Sequence, residues 1–367
     1  MDIFFDHQTF SLQNFGGISR YYTELVSSIN NTNNNQAYIS LLFSNNSHLK
    51  EAGLKVNSFF PDNHLYKKIQ IIYRLNEIYS LHQLKQKKFD VFHATYYDPY
   101  FIPYLKGRPF VVTFLDMIHE KFVAQFPGLD DGGVITRQKQ FLADRADQII
   151  AISESTKRDV VELLNVEPSK VKVVYLGNSL EPTRPQINNI QSSYPYLLFV
   201  GRRERYKNFE GLLRAIYPLL KKHKLKLLCA GGDPFSQEER LLIDSLGVGN
   251  FVEQLSINDE ILQRLYQQAF AFIFPTLYEG FGIPVLEAFA CDCPCIVSNL
   301  SSLPEVAGDA ALYIDPTSSE SINNAVERIL NDSELRQGLI RKGRERLTHF
   351  SWQRTATETI KVYETIL

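Results

Sequence analysis

The stretch PTLYEGFGIPVLEAFACDCPCIVSN, residues 275–299, compresses a whole folding unit. It leaves the apolar run FAFIF (270–274), which reads as a strand, and turns through EGFG (279–282), where Gly280 and Gly282 permit close backbone approach. Pro284 suits the first position of a helix, because the N–H it lacks would have no intrahelical partner there. The helix continues through VLEAFA, and PCIVSN (294–299) reads as the next strand. Strand, glycine turn, helix and strand in this order form the repeating unit of a parallel α/β sheet.

The same alternation extends in both directions. Apolar runs that predict strands are IFFD (3–6), VFHA (91–94), FVVTFLD (110–116), QIIAIS (148–153) and VKVVYL (171–176), then YLLFVG (196–201), LKLLCAGG (225–232), FAFIFPT (270–276), PCIVSN (294–299) and ALYI (311–314). Several are apolar throughout, as parallel strands covered on both faces require. Segments of helical period lie between them, such as 18–29, 208–222 and 258–269. Residues 178–195 are rich in Pro, Asn and Ser and have no period, so they read as a linker. The expected architecture is α/β, with two doubly wound Rossmann-like domains, 1–180 and 195–350, facing a central cleft. Ligands of such sheets bind beyond the carboxyl ends of the strands.

Composition narrows the function. A chain of 367 residues with 44% apolar and 22% charged residues fits two soluble domains. The net charge of −2 gives no basic field for nucleic acid. No run approaches the ~18 apolar residues of a membrane span, and MDIFFDHQTF lacks the basic flank of a secretory leader. Cys229, Cys291, Cys293 and Cys295 have no second ligand pair at zinc spacing and read as buried reduced thiols, which suits a cytoplasmic protein.

Within 275–299, Glu279 and Glu287 are eight residues apart, one before the helix and one inside it. Carboxylates in a polar pocket accept pairs of sugar hydroxyls; equally, Glu287 reads as a favourable charge near a helix start and Glu279 as an exposed loop acid. The amides of Phe281, Gly282 and Ile283 belong to a helix N-terminus, where phosphate oxygens are favoured.

Glu-x7-Glu within EGFGIPVLEAFACDCPCIVSNLSSLPEVAGDAALYIDP resembles the C-terminal signature of family 4 of the retaining nucleotide-sugar glycosyltransferases, which have the two-domain GT-B fold. The resemblance covers essentially the whole chain, through FSLQNFGGISRYYTEL, ISESTKRDV, FVGRRERYKNFEGLLRAI and FSWQRTATETIKVYETI. It implies that Glu279 holds hydroxyls of the donor sugar, Glu287 the nucleotide ribose, and Arg202 and Lys207 the diphosphate. It also implies that Gly16 and Gly17 approach the donor phosphates and that the final helix, 352–367, packs back on the N-terminal domain. Gly231 and Gly232 end a strand and either lie near the nucleotide or form a simple turn. One departure matters: where many members have the histidine of T-x-H, TFLDMIHEKF places Leu115, with Asp116 and His119 close behind. Either can supply polar contacts near the reacting carbon, although His119 also fits a structural role. Asp292, where a glycine is usual, is a second departure. His93, on an apolar strand, reads as a satisfied core residue.

The resemblance implies retention at the anomeric carbon, and GDP-mannose is the favoured donor ahead of UDP-hexoses. The cationic loop and helix amides can neutralise the leaving diphosphate, so neither a metal nor another cofactor is expected; the nucleotide sugar is a substrate. The expected acceptor is a saccharide, free or lipid-linked. Residues 64–88 contain six basic residues and one acid, and Ile69, Ile72, Leu75, Ile78 and Leu81 recur at helical spacing. This predicts a core-facing helix with a basic face, or a patch that touches the inner face of a membrane. The competing functions are a non-catalytic nucleotide-sugar binder and a sugar-nucleotide epimerase on the same fold.

Overall fold

A computed structural model describes residues 1–32, 34–59, 68–180, 194–203 and 205–367. The chain divides into two compact units, Met1–Gly177 with Ser351–Leu367, and Asn178–Phe350. Most of the expected linker, 181–193, lies outside the described residues.

Among the described residues, the first unit contains strands β1 (Asp2–Phe5), β2 (Gln36–Ile39), β3 (Val91–Ala94), β4 (Phe110–Phe114), β5 (Gln148–Ala151) and β6 (Val171–Val173). They form one parallel sheet in the order β2-β1-β3-β4-β5-β6. The second unit contains β7 (Tyr196–Val200), β8 (Lys226–Ala230), β9 (Val252–Leu255), β10 (Ala271–Phe274), β11 (Cys295–Ser298) and β12 (Ala311–Ile314). These are also parallel, in the order β12-β11-β10-β7-β8-β9. Both sheets are doubly wound, as the sequence predicts.

The ten expected strands are present but mostly shorter, because the chain leaves the ladder one to three residues before the apolar run ends. Two strands escaped the sequence reading: β2 and β9, with sequences QAYI and VEQL. Each is an edge strand and exposes part of its length, so its hydrophobic signal is weak.

Order reversal sets the position of each site. In the first sheet the chain winds outward in opposite directions from β1 and β3; in the second, from β7 and β10. The loops after those strands therefore diverge and leave room between them.

The final helix is Trp352–Glu364 and belongs to the first unit. Its buried residues Trp352, Thr355, Ala356, Thr359, Ile360, Val362 and Tyr363 form one stripe at helical spacing. Tyr363 Oη lies 2.6 Å from Nδ1 of His93, and Thr355 donates to the Tyr175 carbonyl at 2.7 Å. His93 is fully buried, with Thr113 Oγ1 2.9 Å from its other nitrogen, and burial lowers its pKa to about 3. It is a satisfied core residue. Gly177 permits the return of the chain: a Cβ there would lie 2.3 Å from the Trp352 backbone nitrogen.

The helix over Lys68–Gln86 corrects an expectation. Its buried side is Ile72, Asn76, Ser80 and Leu84, whereas Ile69, Ile71 and Ile78 are exposed. Asn76 can face inward because four hydrogen bonds satisfy it. It accepts from the Leu42 and Phe43 amides at 3.0 and 2.9 Å, and donates to Ser11 Oγ and the Phe43 carbonyl at 2.8 and 2.7 Å. Ser80 likewise accepts from Tyr100 Oη at 2.8 Å. Residues 64–67 of the basic segment lie outside the described residues.

Candidate active site

In the second unit, the loop after β7 carries Arg202 and Lys207, and the loop after β10 carries Glu279. These are the two loops at the switch point. Lys207 Nζ lies 2.6 Å from Glu279 Oε1, with side-chain exposures of 17% and 13%. The ammonium also lies 5.1 Å and 5.3 Å from the ring centroids of Tyr206 and Phe274. Further bonds hold the loops together: Leu277 N–H and Thr276 Oγ1 donate to the Tyr206 carbonyl at 2.8 and 3.2 Å, and Asn208 Nδ2 donates to the Pro275 and Pro316 carbonyls at 3.2 and 2.7 Å.

The glycine turn is braced from behind by Ser301 and Ser302. The Glu279 N–H donates to Ser301 Oγ at 3.0 Å, and Ser302 Oγ donates to the carbonyls of Glu279 and Phe281 at 2.9 and 2.8 Å. Gly282 has φ +109°, and a Cβ there would meet Leu303 Cδ2 at 2.6 Å, so both backbone and space call for glycine. The helix Ile283–Ala290 begins one residue earlier than expected, with Pro284 second; the N–H it lacks is still one of the unpaired first four. The Phe281 ring packs at the edge of Phe350, 5.9 Å between centroids, so this residue can offer the loop only its backbone.

Glu287, on that helix, is buried and accepts from Tyr266 Oη at 3.1 Å. Tyr266 comes from the helix Asp259–Gln268 and is fully buried; burial and the adjoining carboxylate raise its pKa well above the ordinary phenol value. The sequence reading missed this partner, because Tyr266 sits in an apolar helical stripe and looks like core. Gly231 follows β8 at φ +85°, and a Cβ on Gly232 would meet Arg202 Cα at 3.2 Å, so the glycine turn lies against the loop that carries Arg202. The neighbouring Arg203 is committed elsewhere: its Nε donates to Glu239 at 2.8 Å, and its guanidinium lies 4.7 Å from the Phe235 centroid.

Four of the expected site residues belong to the first unit. Gly16 and Gly17 open the helix Gly17–Asn30, with Gln13 Oε1 accepting from the Ser19 N–H at 3.2 Å. Asp116 follows β4, and its carbonyl accepts at 2.8 Å from Lys139 Nζ, a fully buried lysine that also donates to Glu120 Oε2 at 3.1 Å. His119 lies in the short helix Ile118–Phe122, and its Nδ1 is buried with no partner among the described residues. Leu115 is buried and its N–H donates to Tyr97 Oη at 3.3 Å, so that position offers an apolar side chain only.

At the switch point of this sheet, between β1 and β3, the polar residues bond to one another. Asp6 accepts from Gln8 Nε2 at 2.7 Å, the Thr95 N–H at 2.9 Å and Thr95 Oγ1 at 2.6 Å. Burial pushes its pKa up to about 6 against the pull of those donors. Burial likewise lowers the pKa of His7 to about 3.

The family models agree with this layout. Residues 15–181 match the model described as Glycosyltransferase Family 4, and residues 181–346 match Glycosyl transferases group 1. The two matches adjoin and leave only the chain ends uncovered. The chain belongs to the family 4 glycosyltransferases. An uncharacterised glycosyltransferase of Methanocaldococcus jannaschii is 29% identical over 76% of this chain and 75% of its own length. The O-antigen chain mannosyltransferase B of Escherichia coli is 30% identical over 60% of this chain and 61% of its own length. Among solved structures, Anabaena HepE in complex with UDP and glucose superposes with a TM-score of 0.76 at 15% identity, covering 99% of each chain. The fold is GT-B.

Within this glycosyltransferase, Asp292 now has a structural account. It sits at φ +56°, a conformation suited to the usual glycine, and its carboxylate accepts from Arg344 Nε and Nη2 at 2.6 Å each. The four cysteines are buried and unbridged. No described helix is long and apolar enough to cross a membrane.

Proposed function

We propose that this glycosyltransferase moves a hexosyl group from a nucleoside diphosphate hexose to a saccharide hydroxyl, with retention at the anomeric carbon and with GDP-mannose as donor. The observation that carries the reading is the convergence of Lys207 and Glu279, 2.6 Å apart, on the two switch-point loops of the second sheet. A cation for the diphosphate and a carboxylate for sugar hydroxyls stand side by side where such sheets bind ligands. The name of the E. coli mannosyltransferase supports mannose as the sugar.

In this reading Arg202 and Lys207 take the charge that builds on the leaving diphosphate, helped by the amides of Phe281, Gly282 and Ile283 at a helix start. Glu287, oriented by Tyr266, holds the ribose, and Gly231 borders the nucleotide. Because the chain supplies its own positive potential, transfer proceeds without a metal. The departing phosphate oxygen accepts the proton of the incoming hydroxyl as the glycosidic bond opens and the new bond forms on the same face. Within the first unit, Gly16, Gly17, Asp116 and His119 keep the roles that the family resemblance implies for them.

The exposed Ile69, Ile71 and Ile78, on a helix with Lys68, Arg74 and Lys85, support contact with an anionic membrane surface and hence a lipid-linked acceptor. Incubation with radiolabelled GDP-mannose, UDP-glucose or UDP-galactose and a panel of mannosides tests the reading. Transfer of label from GDP-mannose to an α-linked product, undiminished by EDTA, supports it. Inverted product, or transfer only from a UDP-sugar, contradicts the corresponding part.

A further inference from the structure

Glu279 does not simply wait for a sugar. Its carboxylate is one hydrogen bond from the ammonium of Lys207, and both side chains are more than four-fifths buried. Its backbone is pinned on both sides by Ser301 and Ser302, and two aromatic rings flank the lysine. A carboxylate and a phosphate oxygen are similar anions. They seek the same N–H donors, and they repel when both are near in a partly desolvated site.

We infer that Glu279 is an internal competitor for the diphosphate position: it weakens binding of a free nucleoside diphosphate and yields Lys207 only to the intact nucleotide sugar. This rests on the proposed roles of Lys207 and Glu279. With the intact donor, sugar hydroxyls donate to the carboxylate and offset its repulsion of the phosphates. After transfer those hydroxyls leave with the product saccharide. The carboxylate then turns back to Lys207, and the nucleoside diphosphate is released. One charged side chain thus discriminates donor from spent donor by repelling the wrong ligand.

Calorimetric titration of GDP, UDP, GDP-mannose and UDP-glucose into wild type, Glu279→Gln, Lys207→Gln and the double variant tests this. Glu279→Gln keeps the shape and removes the charge. It should bind the preferred nucleoside diphosphate about fivefold tighter than wild type, and lose the preference for the sugar-bearing form. In the Lys207→Gln background the same change should tighten binding less than in wild type, because the contested donor is gone and only the direct repulsion remains. Glu279→Ala should act in the same direction and replaces the glutamine variant if that one does not fold. Nucleoside diphosphate affinity that is unchanged or weaker in a folded Glu279 variant, with wild type binding normally, overturns the inference and leaves the site reading intact. Wild type that binds neither GDP nor UDP overturns both.

Discussion

Beyond β1 and β3, Asp6, Gln8 and Thr95 bond to one another and Asp6 is sealed from solvent; beyond β7 and β10, Lys207 and Glu279 bond to one another but stay partly open. The two places are topologically alike, since each is where its sheet reverses strand order. Their polar groups have different fates. Three donors inside the first unit satisfy the Asp6 carboxylate, so it is part of the core. Across the loops of the second unit, opposite charges meet through the hydrogen bond from Lys207 Nζ to Glu279 Oε1, on a glycine turn and at a helix start. Charge at a switch point thus marks a candidate ligand site only when the surrounding donors do not already use it.

The largest effect separates these fates. Lys207→Ala should lower kcat by about 100- to 1,000-fold while the melting temperature stays near wild type, because a diphosphate donor of this kind acts on the transition state. A comparable fall in stability would instead place Lys207 with the structural group.

Acid should act mainly on the first unit. His7 and His93 have folded pKa values of about 3, far below the ordinary value near 6.5. The stability they contribute is complete above 6.5 and is lost as pH falls from there toward 3. Asp6 works the other way: its folded pKa is about 6, so its penalty is relieved between about 6 and 3.8. Two histidines outweigh one aspartate, giving a net loss of ~2–3 kcal/mol by pH 5. Hydrogen exchange followed across pH should show protection falling first over β1, β3 and β4; equal loss over β7 and β10 would contradict the assignment.

Thr95→Val removes one of the donors to Asp6. It should destabilise by about 1–2 kcal/mol without changing the nucleotide affinity of the folded protein, read by urea unfolding alongside calorimetry. Tyr266→Phe is the smallest change. It removes one hydrogen bond from Glu287 and should weaken nucleotide binding by about 1 kcal/mol or less.

Much of this was legible in the chain. The ten apolar runs gave the central strands because a strand covered on both faces must be apolar, and EGFG followed by Ile-Pro marked a turn into a helix. The edge strands β2 and β9 were missed because half-exposed edges carry polar residues. One of the two readings of the Lys68–Gln86 helix put Ile69 and Ile78 inward with Ile72, whereas the fold buries Asn76 and Ser80 beside Ile72. Periodicity counts apolar side chains, and it had no way to register that Asn76 would find four partners from Ser11, Leu42 and Phe43. Glu279, Glu287 and Lys207 were singled out as candidates through local pattern and resemblance, whereas Tyr266 lies 21 residues before its partner Glu287 and required the fold.

The most direct test of the central claim is the melting temperature of wild type and Glu287→Ala with GDP, UDP, ADP and dTDP and their common sugars, with and without EDTA. A ligand that binds the native state raises the melting temperature by mass action. The account predicts a rise with GDP-mannose that survives EDTA and disappears in Glu287→Ala. No rise with any nucleotide, or one that is unchanged in the variant, would contradict a nucleotide-sugar site at the second switch point.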